Sequence, residues 1–178
     1  MALLDESLDA DDLTPFYFER NDEVFTALSA ETVRSLKPVT PITLEPNDAV
    51  AEAIKIMQEK RIGAIVIVED SRPVGIFTER DVLSKVVGKL SDLRAGRIKD
   101  YMTPNPICLR LDDWIAYALN QMTVGGFRHI PIVDLYGHLS GIISVRDIAE
   151  FLASLVPTEV YNIRPDPLRG GFAREEGG

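Results

Sequence analysis

The sequence repeats itself once, and this repeat constrains the fold more than any other feature. Two stretches align at an offset of 65 residues, which becomes 66 after one additional residue in a turn at 135–138. The aligned strings are 41–44 (PITL) with 106–109 (PICL), 65–68 (IVIV) with 130–133 (IPIV), and 75–81 (GIFTERD) with 141–147 (GIISVRD). Insertions of this kind are tolerated in turns. The chain is therefore predicted to fold as two copies of one structural unit.

Each copy has the pattern of a β-α-β-β-α unit. A short extended piece (42–44 and 107–109) precedes apolar residues at helical spacing, for which residues 46–48 and 111–113 offer Asp or Asn as N-caps. The helical apolar positions are Val50, Ala53, Ile54 and Met57 in the first copy and Ile115, Ala118, Leu119 and Met122 in the second. A continuous β-branched run then predicts a buried strand, followed by a short turn and an antiparallel strand. A second helix closes each copy, over 81–87 and 147–155.

The repeat boundaries define the expected domain organisation. The predicted segments are an acidic N-terminal segment (1–32, of which 13–32 packs on the rest), a first repeat (33–90), a linker (91–97), a second repeat (98–155) and an extended C-terminal arm (156–178). One repeat of this size buries too little apolar surface for high stability. We therefore expect a mixed α/β (α+β) fold in which the two sheets face each other as a pseudo-twofold pair.

Composition narrows the classes of function. The net charge of −9 disfavours binding to a nucleic-acid backbone, and no apolar run is long enough to span a bilayer. The start of the chain lacks the basic and apolar regions of a secretory signal, and the single cysteine, Cys108, cannot form an intramolecular disulfide. We expect a cytoplasmic protein without nucleic-acid or membrane partners.

Several strings, taken together, resemble the cystathionine-β-synthase (CBS) domain, which occurs in tandem as a Bateman module. They are 75–81 (GIFTERD), 127–133 (FRHIPIV) and 100–106 (DYMTPNP), and the resemblance covers roughly residues 33–155. It implies two β-α-β-β-α units with ligand clefts between them, and pairing of two modules into a homodimer. It also implies an adenosine-containing ligand, with AMP or ATP as first choice and ADP, NAD or S-adenosylmethionine as alternatives. The binding signal would pass to an effector protein that the sequence does not identify.

The two Thr/Ser-x-x-Asp motifs have two interpretations. Thr78 with Asp81, and Ser144 with Asp147, have the spacing of a capping box. The same groups suit a nucleotide, because a hydroxyl at a helix start can bond phosphate and a carboxylate one turn later can accept ribose hydroxyls. The adjacent Arg80 can bond phosphate or lie on the surface. The occurrence of the motif twice, with glycine three residues upstream each time, favours the nucleotide.

The resemblance extends the candidate site to the chain before the buried strands. Arg128 and His129 would border the ligand in one cleft, whereas their first-repeat equivalents are Gly63 and Ala64, so the two clefts are expected to differ in affinity. The full nucleotide-binding prediction is Thr40, Ile42, Gly63, Ala64, Ile65, Thr78, Arg80, Asp81, Asn105, Ile107, Arg128, His129, Ile130, Pro131, Ser144, Arg146 and Asp147.

Three functional hypotheses follow from these residues. The first is a regulatory module that senses an adenosine-containing ligand. The second is a dimerisation or adaptor module without a ligand. The third, an enzyme, is disfavoured because the sequence holds two histidines and one cysteine but no metal-spaced cluster, Walker loop or Rossmann fingerprint. We expect no catalytic residue, no metal and no cofactor.

Overall fold

The computed structural model describes residues 30–155. Within this range the chain is a mixed α+β structure, as predicted. The predictions for the first 29 residues and for the arm at 156–178 lie outside the described residues.

The first repeat follows the predicted element order. Its elements are β1 (Thr43–Leu44), α1 (Val50–Lys60), β2 (Ala64–Glu69), β3 (Arg72–Thr78) and α2 (Glu79–Asp81), which continues as a π-helical turn (Val82–Val86). Strand β1 runs parallel to β2, and β2 pairs with β3 in antiparallel register. The continuous apolar run of β2 is buried as expected, since Ile65, Val66 and Ile67 have no exposed surface.

The second repeat has the same order, with a weaker first strand. After β4 (Thr103–Pro104), which pairs with β3 of the first repeat, its elements are α3 (Ile115–Gly125), β5 (His129–Val133), β6 (Leu139–Ser144) and α4 (Val145–Ser154). Strands β5 and β6 pair in antiparallel register. The extended piece predicted at 107–109 is reduced to a single parallel bridge between Leu109 and Ile132.

The predicted aspartate caps of α1 and α3 are wrong. The N-cap residues are Ala49 and Trp114, and neither makes a side-chain cap bond. The carboxylate of Asp48 instead accepts the backbone N–H of Glu45 at 2.7 Å, and Asp113 accepts that of Arg110 at 2.6 Å. Each aspartate therefore closes the turn before the helix, because a short side chain can bond its own local backbone.

Each repeat receives the first residues of the other repeat. We call residues 33–39 and 98–104 the exchanged segments. The backbone N–H of Val33 donates to Asp113 O at 2.8 Å in the second repeat, and that of Ile98 donates to Asp48 O at 3.0 Å in the first. Val33 is fully buried in the second repeat's core, and Ile98 in the first repeat's core. The two repeats thus complete each other's cores with pseudo-twofold symmetry.

The same exchange extends the sheets. Strand β4 lies at the edge of the four-stranded sheet β1-β2-β3-β4, where Thr103 pairs with Ile76 and Pro104 with Gly75. In the other direction, Val39 forms an antiparallel bridge with Ile142 of β6. The exchanged segments therefore cover one edge of each sheet, which protects it from unwanted pairing.

Substitution of two glycines tests how closely the exchanged segments pack. A Cβ at Gly141 would lie 2.8 Å from Cβ of Pro38, whereas one at Gly75 would lie 2.2 Å from Sδ of Met102. Because the proline ring is rigid and the methionine side chain can rotate away, we expect Gly141→Ala to lower the free energy of unfolding by about 1–3 kcal/mol and Gly75→Ala by less. Urea denaturation of both variants measures this order, and equal losses would contradict it.

Candidate functional site

Both Thr/Ser-x-x-Asp motifs form capping boxes. The N–H of Thr78 donates to Asp81 Oδ2 at 2.9 Å, and the Asp81 N–H donates to Thr78 Oγ1 at 3.3 Å. Ser144 and Asp147 make the same reciprocal bonds, at 2.6 and 3.4 Å. The capping interpretation is therefore confirmed for both motifs. A ligand role for the same residues stays a prediction. It is compatible with the caps, since a carboxylate that caps a helix in one state can bind a ligand in another.

Asp81 is the one charged side chain buried in the described part of the chain, with 4% of its surface exposed. Its Oδ2 also accepts the Thr78 hydroxyl at 2.6 Å. Its Oδ1 accepts Lys85 Nζ at 2.7 Å and the hydroxyl of Thr103 at 3.0 Å. Burial by itself would raise the pKa of Asp81, but the hydrogen bonds from Lys85, Thr78 and Thr103 together lower it below the ordinary value. Asp81 is therefore held as a carboxylate.

The corresponding Asp147 has a different environment. It accepts the N–H of Ser144 at 2.6 Å and the Ser144 hydroxyl at 2.7 Å. The position equivalent to Lys85, at the offset of 66 residues, is Phe151, which has no polar group to donate. The two motifs thus form the same caps. They differ in the residue four positions after the aspartate, which is a lysine that bonds the carboxylate in the first motif and a phenylalanine in the second.

A cavity of about 770 Å³ lies between the repeats. Eight candidate residues line it: Gly63, Thr78, Arg80, Asp81, Asn105, Ile107, Arg128 and His129. The first four come from the first repeat, whereas Asn105 and Ile107 follow β4 and the last two lie at the start of β5. The site is therefore composite, since both repeats supply side chains to one cavity.

Arg80 connects the two repeats at the cavity wall. Its Nη1 donates to the carbonyl oxygen of Gly126 at 2.6 Å, and Gly126 is the left-handed C-cap of α3. A cation suits this position because helix C-termini carry partial negative charge. Arg80 lines the cavity, while part of its guanidinium bonds the protein itself.

His129 lines the cavity beside Gly63. A Cβ on Gly63 would lie 3.5 Å from the His129 ring and 3.4 Å from Glu79 Oε2, so a larger residue at Gly63 would crowd both groups. Burial lowers the pKa of His129 and outweighs the carboxylates of Asp147 and Glu79, which raise it, while the charge of Arg128 lowers it further. A lowered pKa favours the neutral ring at neutral pH.

The remaining candidates do not line this cavity. Ala64, Ile65, Ile130 and Pro131 are buried in β2 and β5, which leaves at most their backbone for a ligand. Arg146 is exposed and bonds Glu150 at 2.7 Å, which raises the pKa of Arg146. The other candidates outside the cavity are Thr40, Ile42, Ser144 and Asp147.

Several lining residues were missed from the sequence. They are Ile76, Glu79, Leu83, Ser84, Thr103, Pro106, Gly125 and Phe127. Phe127 and Pro106 lie beside predicted residues and could have been included for that reason. Thr103 reaches the site only because β4 pairs with β3, and that pairing has no local sequence signal.

The cavity is lined by both apolar and charged side chains. Phe127, Ile76 and Ile107 give apolar surface that suits a flat heterocycle, whereas Arg80 and Arg128 are cations and Asp81 is a buried hydroxyl acceptor. Across residues 30–155, no group of three His, Cys, Asp or Glu side chains is arranged to hold a metal ion. None of the helices in that range is both long and apolar enough to traverse a bilayer.

Comparison with known proteins gives matches over the same region. The CBS domain family model matches residues 31–88 and again 98–154. An uncharacterised 17.7 kDa protein of Acidianus ambivalens is 35% identical over 124 residues, which are 69% of this chain and 74% of that protein. The CBS domain-containing protein CBSCBSPB3 of Arabidopsis thaliana is 33% identical over 62% of this chain, a match that spans only 20% of the Arabidopsis protein.

Solved structures show the same arrangement of two repeats. The CBS domain protein PAE2072 of Pyrobaculum aerophilum, complexed with AMP, has a TM-score of 0.61 and 27% identity, covering 69% of this chain and 98% of that chain. The CBS domain pair of protein MJ0100, in complex with 5′-methylthioadenosine and S-adenosyl-L-methionine, has a TM-score of 0.62 and 26% identity, covering 69% and 96%.

Proposed function

Because this chain belongs to the CBS domain family and carries two such domains in tandem, we propose that it is a regulatory module that binds an adenosine-containing ligand between them. The observation that carries the proposal is the composite cavity, which combines apolar walls, two arginines and a buried carboxylate. Structurally similar proteins hold AMP, or methylthioadenosine and S-adenosylmethionine. These ligands share an adenosine part, which the cavity's chemistry suits.

We propose AMP, with ATP as the next candidate, as the ligand of this cavity. The adenine ring would lie against Phe127 and Ile107, and Asp81 would accept the ribose hydroxyls. Arg128 and Arg80 would then face the phosphate, since guanidinium groups bond phosphate oxygens in a forked geometry. Arg128 is exposed at the cavity. AMP fits this division because its single phosphate can bond the guanidinium groups of Arg80 and Arg128, which are the two cations of the cavity lining.

The signal would leave the module as a change of conformation or assembly. A ligand that touches both repeats stabilises one arrangement of them over another, and a coupling of about 1–3 kcal/mol is sufficient for regulation. We propose a homodimer as the assembly and a separate protein as the effector. Exposed apolar side chains of Trp114, Tyr117 and Val124 along α3 support the dimer, because they form one stripe on the helix.

One observation favours a second function. Four protein donors fill the acceptor positions of the Asp81 carboxylate, as expected for a module that only dimerises and whose capping boxes are only caps. The two functions differ in one measurable property, since the dimerisation module has no affinity for nucleotides in the micromolar range.

Isothermal titration calorimetry of the purified protein with AMP, ADP, ATP, NAD and S-adenosylmethionine tests the proposal. We expect micromolar binding of AMP, and Arg128→Met is expected to weaken AMP about tenfold while changing adenosine little, because a charge-assisted bond to phosphate is lost. The matched control is Arg110→Met, an exposed arginine outside the cavity. Absence of binding by every nucleotide in folded protein would support the dimerisation module instead.

A further inference from the structure

Lys85 lies where it can compete with a ligand for Asp81. Its Nζ approaches Asp81 Oδ1 at 2.7 Å and also reaches the carbonyl oxygen of Met102 at 3.0 Å and the Thr103 hydroxyl at 3.3 Å. We propose that Lys85 sets the affinity of the cavity for ribose, because a ribose diol must displace this ammonium group from Asp81 in order to bind. The inference rests on the proposed function and adds to it a residue that the predicted site did not contain.

The Asp81 carboxylate can accept only a limited number of hydrogen bonds. Two carboxylate oxygens offer about four positions for donors in total. At Asp81 four donors approach them: the N–H and hydroxyl of Thr78 on Oδ2, and Lys85 and Thr103 on Oδ1. A diol therefore gains both of its hydrogen bonds only when some of these donors leave.

The donors around Asp81 differ in how easily a ligand can displace them. The N–H of Thr78 belongs to the capping box and is fixed by the start of α2. The side chain of Lys85 is 38% exposed, so its ammonium group can return to water when it is displaced. Its stem is flexible, and an ammonium group is strongly hydrated. Lys85 is therefore the donor that a ribose replaces most easily, and Thr103 is the next.

Displacement of Lys85 from Asp81 also affects the connection between the two repeats. Lys85 holds Met102 and Thr103, and Thr103 lies in β4, which pairs with β3. Residues 98–104 form the exchanged segment that leads into the second repeat. Release of Lys85 from Asp81 therefore loosens the contact between the cavity and the connection of the two repeats. The second motif has no equivalent, because Phe151 stands at the position of Lys85.

Titration of the full chain with two probes at about pH 7.5, where a carboxyl group is ionised, tests this inference. The probes are AMP and 2′,3′-dideoxy-AMP, which lacks the diol. We expect Lys85→Met to bind AMP about tenfold more tightly than the wild type, since one charged competitor is removed. The affinity for dideoxy-AMP is expected to stay within about twofold. Thr103→Val removes the other donor to Oδ1 and should change AMP affinity in the same direction, and Lys55→Met on α1 is the matched control.

Each outcome decides between the two proposals. Tighter AMP binding by Lys85→Met, even where the wild type binds too weakly to measure, supports the inference. Equal or weaker AMP binding by both folded variants overturns it and leaves the proposed function standing. An equal gain for dideoxy-AMP also overturns it, because the effect would not involve ribose. No binding by the wild type or either variant overturns both proposals. Circular dichroism confirms folding, and if Lys85→Met fails to fold, Thr103→Val decides alone.

Discussion

Replacement of Ile98 by alanine is expected to lower the free energy of unfolding by about 2–5 kcal/mol, the usual cost of truncating a buried isoleucine. Ile98 has no exposed surface and packs into the core that contains Phe77 and Ile65. Because small proteins are stable by only about 5–15 kcal/mol in total, this is among the largest losses that one substitution can cause here. Urea denaturation followed by circular dichroism measures it.

The loss of stability in Ile98→Ala is expected to be greatest in the first repeat. Ile98 opens the second repeat in sequence but packs in the core of the first. Hydrogen exchange of Ile98→Ala should therefore show the greater loss of protection in β2 and β3, and Val33→Ala should show it in β5 and β6. Loss confined to β5 and β6 in Ile98→Ala would contradict the exchange of segments.

Replacement of Asp81 by asparagine is expected to weaken AMP binding about a hundredfold or more. Two hydrogen bonds from ribose hydroxyls to a carboxylate are lost, and each is worth at least about 1.5 kcal/mol. The asparagine keeps the size of the side chain, so the cavity keeps its shape. It also removes the negative charge that pairs with Lys85, and we therefore expect a lower melting temperature.

Substitution of two other aspartates shows whether the loss of AMP affinity is specific to Asp81. Asp147→Asn alters the motif that does not line the cavity, and we expect a smaller loss of AMP affinity. Asp100→Asn, at an exposed carboxylate in a short 3₁₀ turn, is the matched control. Calorimetry of the three variants decides the matter. Equal AMP affinity in wild type and Asp81→Asn would remove Asp81 from the site and reduce its motif to a helix cap.

The sequence predicts the local helices and strands well, because the same hydrophobic pattern occurs in both copies of the repeat. The β-branched runs at 65–68 and 130–133 become buried strands, and the apolar positions around Val50 and Ile115 become the buried faces of α1 and α3. The predicted second helices begin two residues too late, at Asp81 and Asp147. The structure starts them at Glu79 and Val145, immediately after their Thr and Ser caps.

Contacts between the repeats were harder to predict from sequence. Val33 and Ile98 are apolar residues at equivalent positions, but nothing local indicates that each packs in the other repeat. Asp48 has the residue type and position of a helix cap, but its carboxylate accepts the nearby backbone N–H of Glu45 instead. The four-residue spacing of Lys85 after Asp81 could have indicated their ion pair, whereas the approach of Thr103 depends on the pairing of β4.

The exchanged segments also bear on how a molecule of this kind can arise. A shorter chain with a single repeat would present an open sheet edge and an incomplete core, because its own preceding segment reaches away from it. Two identical chains would satisfy these contacts by swapping those segments, which is a common route to dimers. Joining the two copies end to end would preserve every contact and remove the dependence on concentration. The present fold thus has the geometry of a domain-swapped dimer joined into one chain, in which the two halves can differ in sequence, as they do at Lys85 and Phe151.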